Sequence, residues 1–94
     1  MSASSMKDEL SEEELGVIER RAKAARPGPW TSFVEGRDHT SGSSFIRVGE
    51  ESSRGDDIEL VGATDADQDF IAAARHDVPR LLVEIRRLKR RLGE

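Results

Sequence analysis

Residues 71–92 read IAAARHDVPRLLVEIRRLKRRL, and this stretch decides the fold of the 94-residue chain. Its apolar residues recur at alternating intervals of three and four, the heptad spacing of a helix that presents a narrow apolar stripe to another helix. Those at heptad positions a and d, in chain order, are Ile71, Ala74, Val78, Leu81, Ile85, Leu88 and Leu92. The spacing therefore predicts a long C-terminal helix that carries an apolar seam.

Pro79 lies inside this predicted helix, at a b position off the seam. An interior proline removes one backbone hydrogen bond and clashes with the carbonyl four residues earlier. The heptad phase nevertheless passes through Pro79 without a slip, so we predict a continuous helix that kinks there. The alternative is a helix that ends and restarts, with Asp77 as the new cap.

The seam predicts association with a second chain, most simply a homodimer, or with another protein. Branched residues at a with leucine at d favour parallel two-stranded coils, and Glu84 at g would attract Lys89 at the following e. A helix of about 40 Å also overshoots strands of about 17 Å. The predicted contact residues are Val78, Leu81, Glu84, Ile85, Leu88, Lys89 and Leu92. Alternatively the stripe covers the chain's own sheet, which the extra apolar residue Leu82 would suit.

Upstream of the seam, the sequence predicts one helix and three strands. Ser11 and Glu14 form a capping box, and the helix should end near Arg26 because prolines follow. Strand-forming residues cluster at 30–35, 45–48 and 58–61, separated by Gly-, Ser- and Asp-rich loops.

Thr64 or Asp65 should cap the last helix, and Gln68 would complete a capping box with Asp65. Phe70 and Ile71 are expected to face the sheet. We therefore predict an α+β fold of order α-β-β-β-α: a three-stranded antiparallel sheet packed against an N-terminal helix and a Pro-kinked C-terminal helix. Residues 1–10 are predicted to be a disordered tail, and residues 11–94 a single domain.

Composition excludes several classes of function. The chain has no cysteine, so it has neither disulfides nor thiolate metal sites. It shows no apolar run long enough for a membrane span and no signal-peptide pattern, so we expect a cytoplasmic protein without a membrane partner. The net charge of −4 hides an acidic segment at 50–69 and a basic one at 80–92.

Two polar segments could bind an anion, and they supply the alternative functions. The loop at 36–44 offers Arg37, His39, Thr40 and Ser41, which would suit a small anionic ligand. The basic run could contact nucleic acid phosphates, although the acidic chain and the absence of a known nucleic-acid-binding pattern disfavour this. Its arginines are Arg86, Arg87, Arg90 and Arg91. No phosphate loop or nucleophile motif occurs, so we predict a non-enzymatic protein without cofactor or metal.

Three short patches in the chain resemble a known pattern. They read AARPGPW at 24–30, DFIAAAR at 69–75 and DVPRLL at 77–82. Together they are similar to small uncharacterised proteins of actinobacteria and their phages, and they loosely resemble the Ea22-like phage accessory proteins. The resemblance implies an accessory factor, borne by a phage or prophage, with an interaction role. It implies no activity and no catalytic residues.

Overall fold

The N-terminal helix α1 (Glu12–Ala24) begins at the predicted capping box. In the computed structural model, which describes residues 9–93, the Ser11 hydroxyl accepts a hydrogen bond from the Glu14 amide at 3.0 Å. The Glu14 carboxylate accepts one from the Ser11 amide at 2.8 Å. Three glutamates in the first turn add negative charge at the positive end of the helix dipole. The tail predicted at 1–10 lies outside the described residues except for its last two.

The sheet has two strands in the described part of the chain, not the three that were predicted. Strand β1 (Trp30–Phe33) pairs antiparallel with β2 (Phe45–Val48), with Trp30 opposite Val48 and Phe33 opposite Phe45. A single antiparallel bridge joins Ile46 to Ile58, where the third strand was expected. The predicted third strand is therefore reduced to one paired residue.

An extra residue explains why this ladder does not propagate. Continuing the pairing from Ile58 and Ile46 would place Asp56 opposite Val48. Instead the Gly55 amide donates to the Val48 carbonyl at 2.8 Å, and the Asp56 carbonyl accepts from Arg26 at 2.9 Å. Such a two-against-one mismatch interrupts a ladder as a β-bulge does. After Ile58 the chain turns away through Gly62, whose φ of +84° suits glycine.

The C-terminal helix α2 (Asp65–Gly93) is continuous through Pro79. The predicted kink at Pro79 is not confirmed. The Thr64 hydroxyl accepts a hydrogen bond from the Asp67 amide, and the Asp67 carboxylate accepts one from the Thr64 amide, both at 3.0 Å. The cap is thus made by Thr64 and Asp67, and the predicted pairing of Asp65 with Gln68 is wrong because Gln68 turns inward. Neither described helix combines the length and the apolar composition that crossing a membrane requires.

The core lies between the two helices and one face of the sheet. Leu15 of α1 and Ile46 of β2 are fully buried at its centre. The other buried apolar residues are Val34, Val48, Ala72 and Leu82. The sheet-facing role expected for Phe70 and Ile71 is wrong, since Phe70 is 73% exposed and Gln68 and Ala72 are buried instead.

Candidate interaction face

The helix α2 has an inner face and an exposed apolar face. Leu82 is 5% exposed on the inner face, whereas its neighbour Leu81 is 58% exposed. At about 100° per residue, five apolar side chains lie within about 40° of one another around the axis, on the side that includes Leu81. We call these five residues the outer stripe: Phe70, Ala74, Leu81, Leu88 and Leu92. The domain's own packing leaves this stripe largely uncovered.

The helix α1 runs antiparallel beside α2 and fixes which face is buried. Glu12 pairs with Lys89 at 2.8 Å, and Glu19 pairs with Arg86 at 2.9 Å. The hydrogen bond from Lys89 lowers the pKa of Glu12, and that from Arg86 lowers the pKa of Glu19. These pairs hold α1 against one side of α2, and the outer stripe lies to the other side of the contact.

An apolar groove of about 300 Å³ separates the two helices next to the outer stripe. Small and branched side chains, most of them from the two helices, form the greater part of its lining: Ile18, Ala22, Ala25, Ile71, Ala74 and Val78. Trp30 and the side chains of Arg21 and Arg75 complete it. Since Ala74 belongs to both the groove and the outer stripe, the two form one apolar surface. This surface has the size and shape that suits another helix more than a small polar ligand.

The predicted contact residues are divided by the structure. Leu81, Leu88 and Leu92 are exposed on the outer stripe, with Leu92 at 87%. Val78 and Ile85, at the a positions, are half-buried towards α1. The heptad seam is therefore split: Leu81, Leu88 and Leu92 remain exposed, whereas Ala74, Val78 and Ile85 are partly covered by the chain itself.

The two charged contact residues are engaged within the chain. Glu84 accepts from Arg87 one turn later at 2.5 Å, and this contact lowers the pKa of Glu84. Lys89 is bonded to Glu12 of α1. The attraction between Glu84 and Lys89 that favoured a parallel dimer thus has competing partners inside each copy.

Arg37, in the predicted anion-binding loop, is engaged by two carboxylates. Its guanidinium donates two hydrogen bonds to Asp69 of α2, at 2.8 and 3.0 Å, and also bonds Asp38. The Arg37 hydrogen bonds, with a smaller contribution from Ser32, lower the pKa of the Asp69 carboxyl to about 2. This double pairing ties the loop to the first turns of α2 and leaves the guanidinium little capacity for an added anion.

His39 is likewise used within the loop. Its Nδ1 lies 2.7 Å from the Ser41 hydroxyl and 3.0 Å from the Ser41 amide. Its ring packs against Phe33 and Phe45, which stack on each other with centroids 5.4 Å apart. Thr40 is exposed beside them. The loop brings His39 and Ser41 together but directs Arg37 towards α2, so the predicted ligand set does not converge.

The basic run is also divided. Arg86 and Arg87 are bonded to Glu19 and Glu84. Arg90 and Arg91, in the last turn of α2, are exposed and make no ion pair with another residue in the described part of the chain. Cations in this position are stabilised by the negative end of the helix dipole.

Gln68 is the structural residue that the sequence interpretation missed. It is 4% exposed, and its amide nitrogen lies 2.9 Å from the Ser32 hydroxyl, 3.2 Å from the Phe33 carbonyl and 3.1 Å from the Phe45 carbonyl. One signal could have found it: Gln68 stands four residues before Ala72 and fourteen before Leu82, in the phase of the buried face.

Comparison of the chain with known proteins finds no relative. No family model, curated protein or solved structure matches the chain. The resemblance to phage accessory proteins therefore stays a prediction. Among residues 9–93, no three histidine, aspartate or glutamate side chains cluster as a metal site would need.

Proposed function

We propose that this protein is a small non-enzymatic interaction module that self-associates through the outer stripe of α2. The observation that carries the proposal is the exposure of Leu81, Leu88 and Leu92 beside a core that is already closed by Leu82. Contiguous exposed apolar surface of this kind marks interaction sites in folded proteins. The alternatives, anion binding by the 36–44 loop or by the basic run, have weaker geometric support.

The extent of the face fits a small dimer interface. From Phe70 to Leu92 the stripe runs for about 33 Å at 1.5 Å per residue. The helix α1 packs about 8–10 Å away and widens this face to roughly 20 Å only along its own 13 residues, about 20 Å of length. The face is therefore on the order of 500 Å² per copy, which for two copies is close to the total of about 1,000 Å² that a specific interface buries at the least. A second copy is the occupant that we propose, because an identical stripe on each chain allows a closed isologous contact.

The test compares two substitutions of exposed apolar residues on the same helix. Leu81→Glu places a charge on the outer stripe. Val83→Glu places the same charge at a site that is 69% exposed and about 160° away around the helix. The chain mass is measured by light scattering during size-exclusion chromatography, with helix content by circular dichroism as a check on folding.

We expect the wild type and Val83→Glu to associate and Leu81→Glu to elute as a monomer with unchanged helix content. A buried unpaired carboxylate costs several kcal/mol in an apolar contact, enough to separate a weak dimer. The proposal would be wrong if the wild type is monomeric at high micromolar concentration, or if both variants dissociate it equally.

A further inference from the structure

We infer that the two copies meet antiparallel, with a two-fold axis passing beside Leu81. This inference rests on the self-association proposed above and specifies its geometry. The heptad pattern alone indicated a parallel pair. The exposed residues form a different pattern, because Val78 and Ile85 are partly covered and Phe70, which is not on the heptad seam, takes part in the stripe.

The outer stripe is symmetric about Leu81. Ala74 and Leu88 each stand seven residues from Leu81, and Phe70 and Leu92 each stand eleven residues from it. An antiparallel pairing centred on Leu81 therefore brings Phe70 against Leu92, and Ala74 against Leu88, on both sides of the axis. Each large side chain then has an apolar partner.

A parallel pairing matches the same residues less well. It would place Ala74 against Ala74, where two methyl groups leave a gap, and a gap destabilises an interface core. The antiparallel pairing fills this gap because it sets Ala74 against the larger Leu88.

The charge distribution along α2 favours the same orientation. The first turns carry exposed acids at Asp65 and Asp67, and the last turn carries Arg90 and Arg91. Parallel helices would bring acids together at one end and bases together at the other. Antiparallel helices bring the acidic end of each copy near the basic end of the other, and they also oppose the two helix dipoles.

Single cysteines test the orientation cleanly, since the chain has no native cysteine. Four variants are made: Leu81→Cys, Phe70→Cys, Leu92→Cys and, as the off-stripe control, Val83→Cys. All four side chains are exposed in the isolated chain, so we expect the substitutions to leave its folding unchanged. Disulfide formation is measured in a glutathione redox buffer, for each variant alone and for Phe70→Cys mixed with Leu92→Cys.

The antiparallel geometry predicts that Leu81→Cys links to itself and that the Phe70→Cys and Leu92→Cys mixture forms the mixed dimer. Each linked fraction should exceed that of Val83→Cys by about tenfold or more, since association raises the effective concentration of the two thiols. Phe70→Cys alone and Leu92→Cys alone should remain near the control.

Three results would overturn the inference in distinguishable ways. Self-linking of Phe70→Cys and of Leu92→Cys, without preference for the mixed dimer, would show a parallel pair and leave self-association intact. A dimer by light scattering that links at none of these sites would place the contact elsewhere. A monomer by light scattering, with no linking, would contradict the self-association itself.

Discussion

Gln68 shows how a single polar side chain fixes the position of a helix on a small sheet. Its side chain comes from the second turn of α2 and reaches three oxygens on β1 and β2. A buried polar group destabilises the fold when its hydrogen bonds are not made, so this amide favours the one register and depth of the contact that satisfy it. We therefore expect the Gln68 hydrogen bonds to contribute to the free energy of unfolding of the whole domain.

Gln68→Met keeps the size of the side chain and removes its hydrogen bonds. We expect the free energy of unfolding to fall by about 1–2 kcal/mol, since a typical intramolecular hydrogen bond contributes about 0.5–1.5 kcal/mol. Urea denaturation at neutral pH measures the change. Arg80→Met, the same new residue at an exposed site of α2, should change it by less than about 0.5 kcal/mol. Equal effects of the two variants would show that the amide bonds contribute nothing.

The sequence could not easily reveal this residue. The local sequence pattern predicted that Gln68 caps the helix together with Asp65. The same side-chain amide cannot both cap the helix and be buried against the sheet. The choice depends on β1, which lies more than thirty residues away in the sequence and presents Ser32 and Phe33 to it. Capping at Ser11, in contrast, depends on residues three apart and was predicted correctly.

The sequence predicts most of the helices and strands, but it does not predict which face of each helix is buried. The helix α2 ends at Gly93, one residue from the predicted end, because periodicity is a local signal. Which stripe is buried depends on where α1 lies, and α1 is held by Leu15 and by ion pairs distant in sequence. The predicted third strand is reduced to Ile58 because the Gly55 amide takes the Val48 carbonyl that a continued ladder would use. Strand propensity does not predict this hydrogen bond, since it is formed by a loop residue.

The pairing of Arg37 with Asp69 joins the 36–44 loop to α2 and predicts a dependence of stability on pH. The folded Asp69 carboxyl has a pKa of about 2, below its ordinary value of 3.8. The pair therefore stabilises the folded state above about pH 4, and this contribution is lost as the pH falls towards 2. The side chains are partly exposed, so the effect should be screened by salt.

Asp69→Asn should lower the urea midpoint at pH 6 and make its decline between pH 4 and pH 2 shallower than in the wild type. Asp56→Asn is the matched control, because the Asp56 side chain makes no ion pair with another residue at 9–93. Its profile should follow that of the wild type. If Asp69→Asn keeps the wild-type slope over this pH range, the loop is held by other contacts.

At the scale of the whole molecule, the described chain forms a thin body of 52 × 32 × 19 Å. Only one face of the sheet is covered by helices, and the helices themselves are covered on one side. A chain of this size buries a modest fraction of its surface, and association is a common way to complete such a core. The outer stripe, the adjoining groove and the opposed charges at the ends of α2 all lie where a second copy would supply the missing packing.

The most direct test of this account is the mass of the unmodified chain as a function of concentration, measured by sedimentation equilibrium. The account predicts a reversible rise from the monomer mass of 10.4 kDa at submicromolar concentration towards twice that value at high micromolar concentration. A mass that stays at 10.4 kDa over the whole range would contradict it.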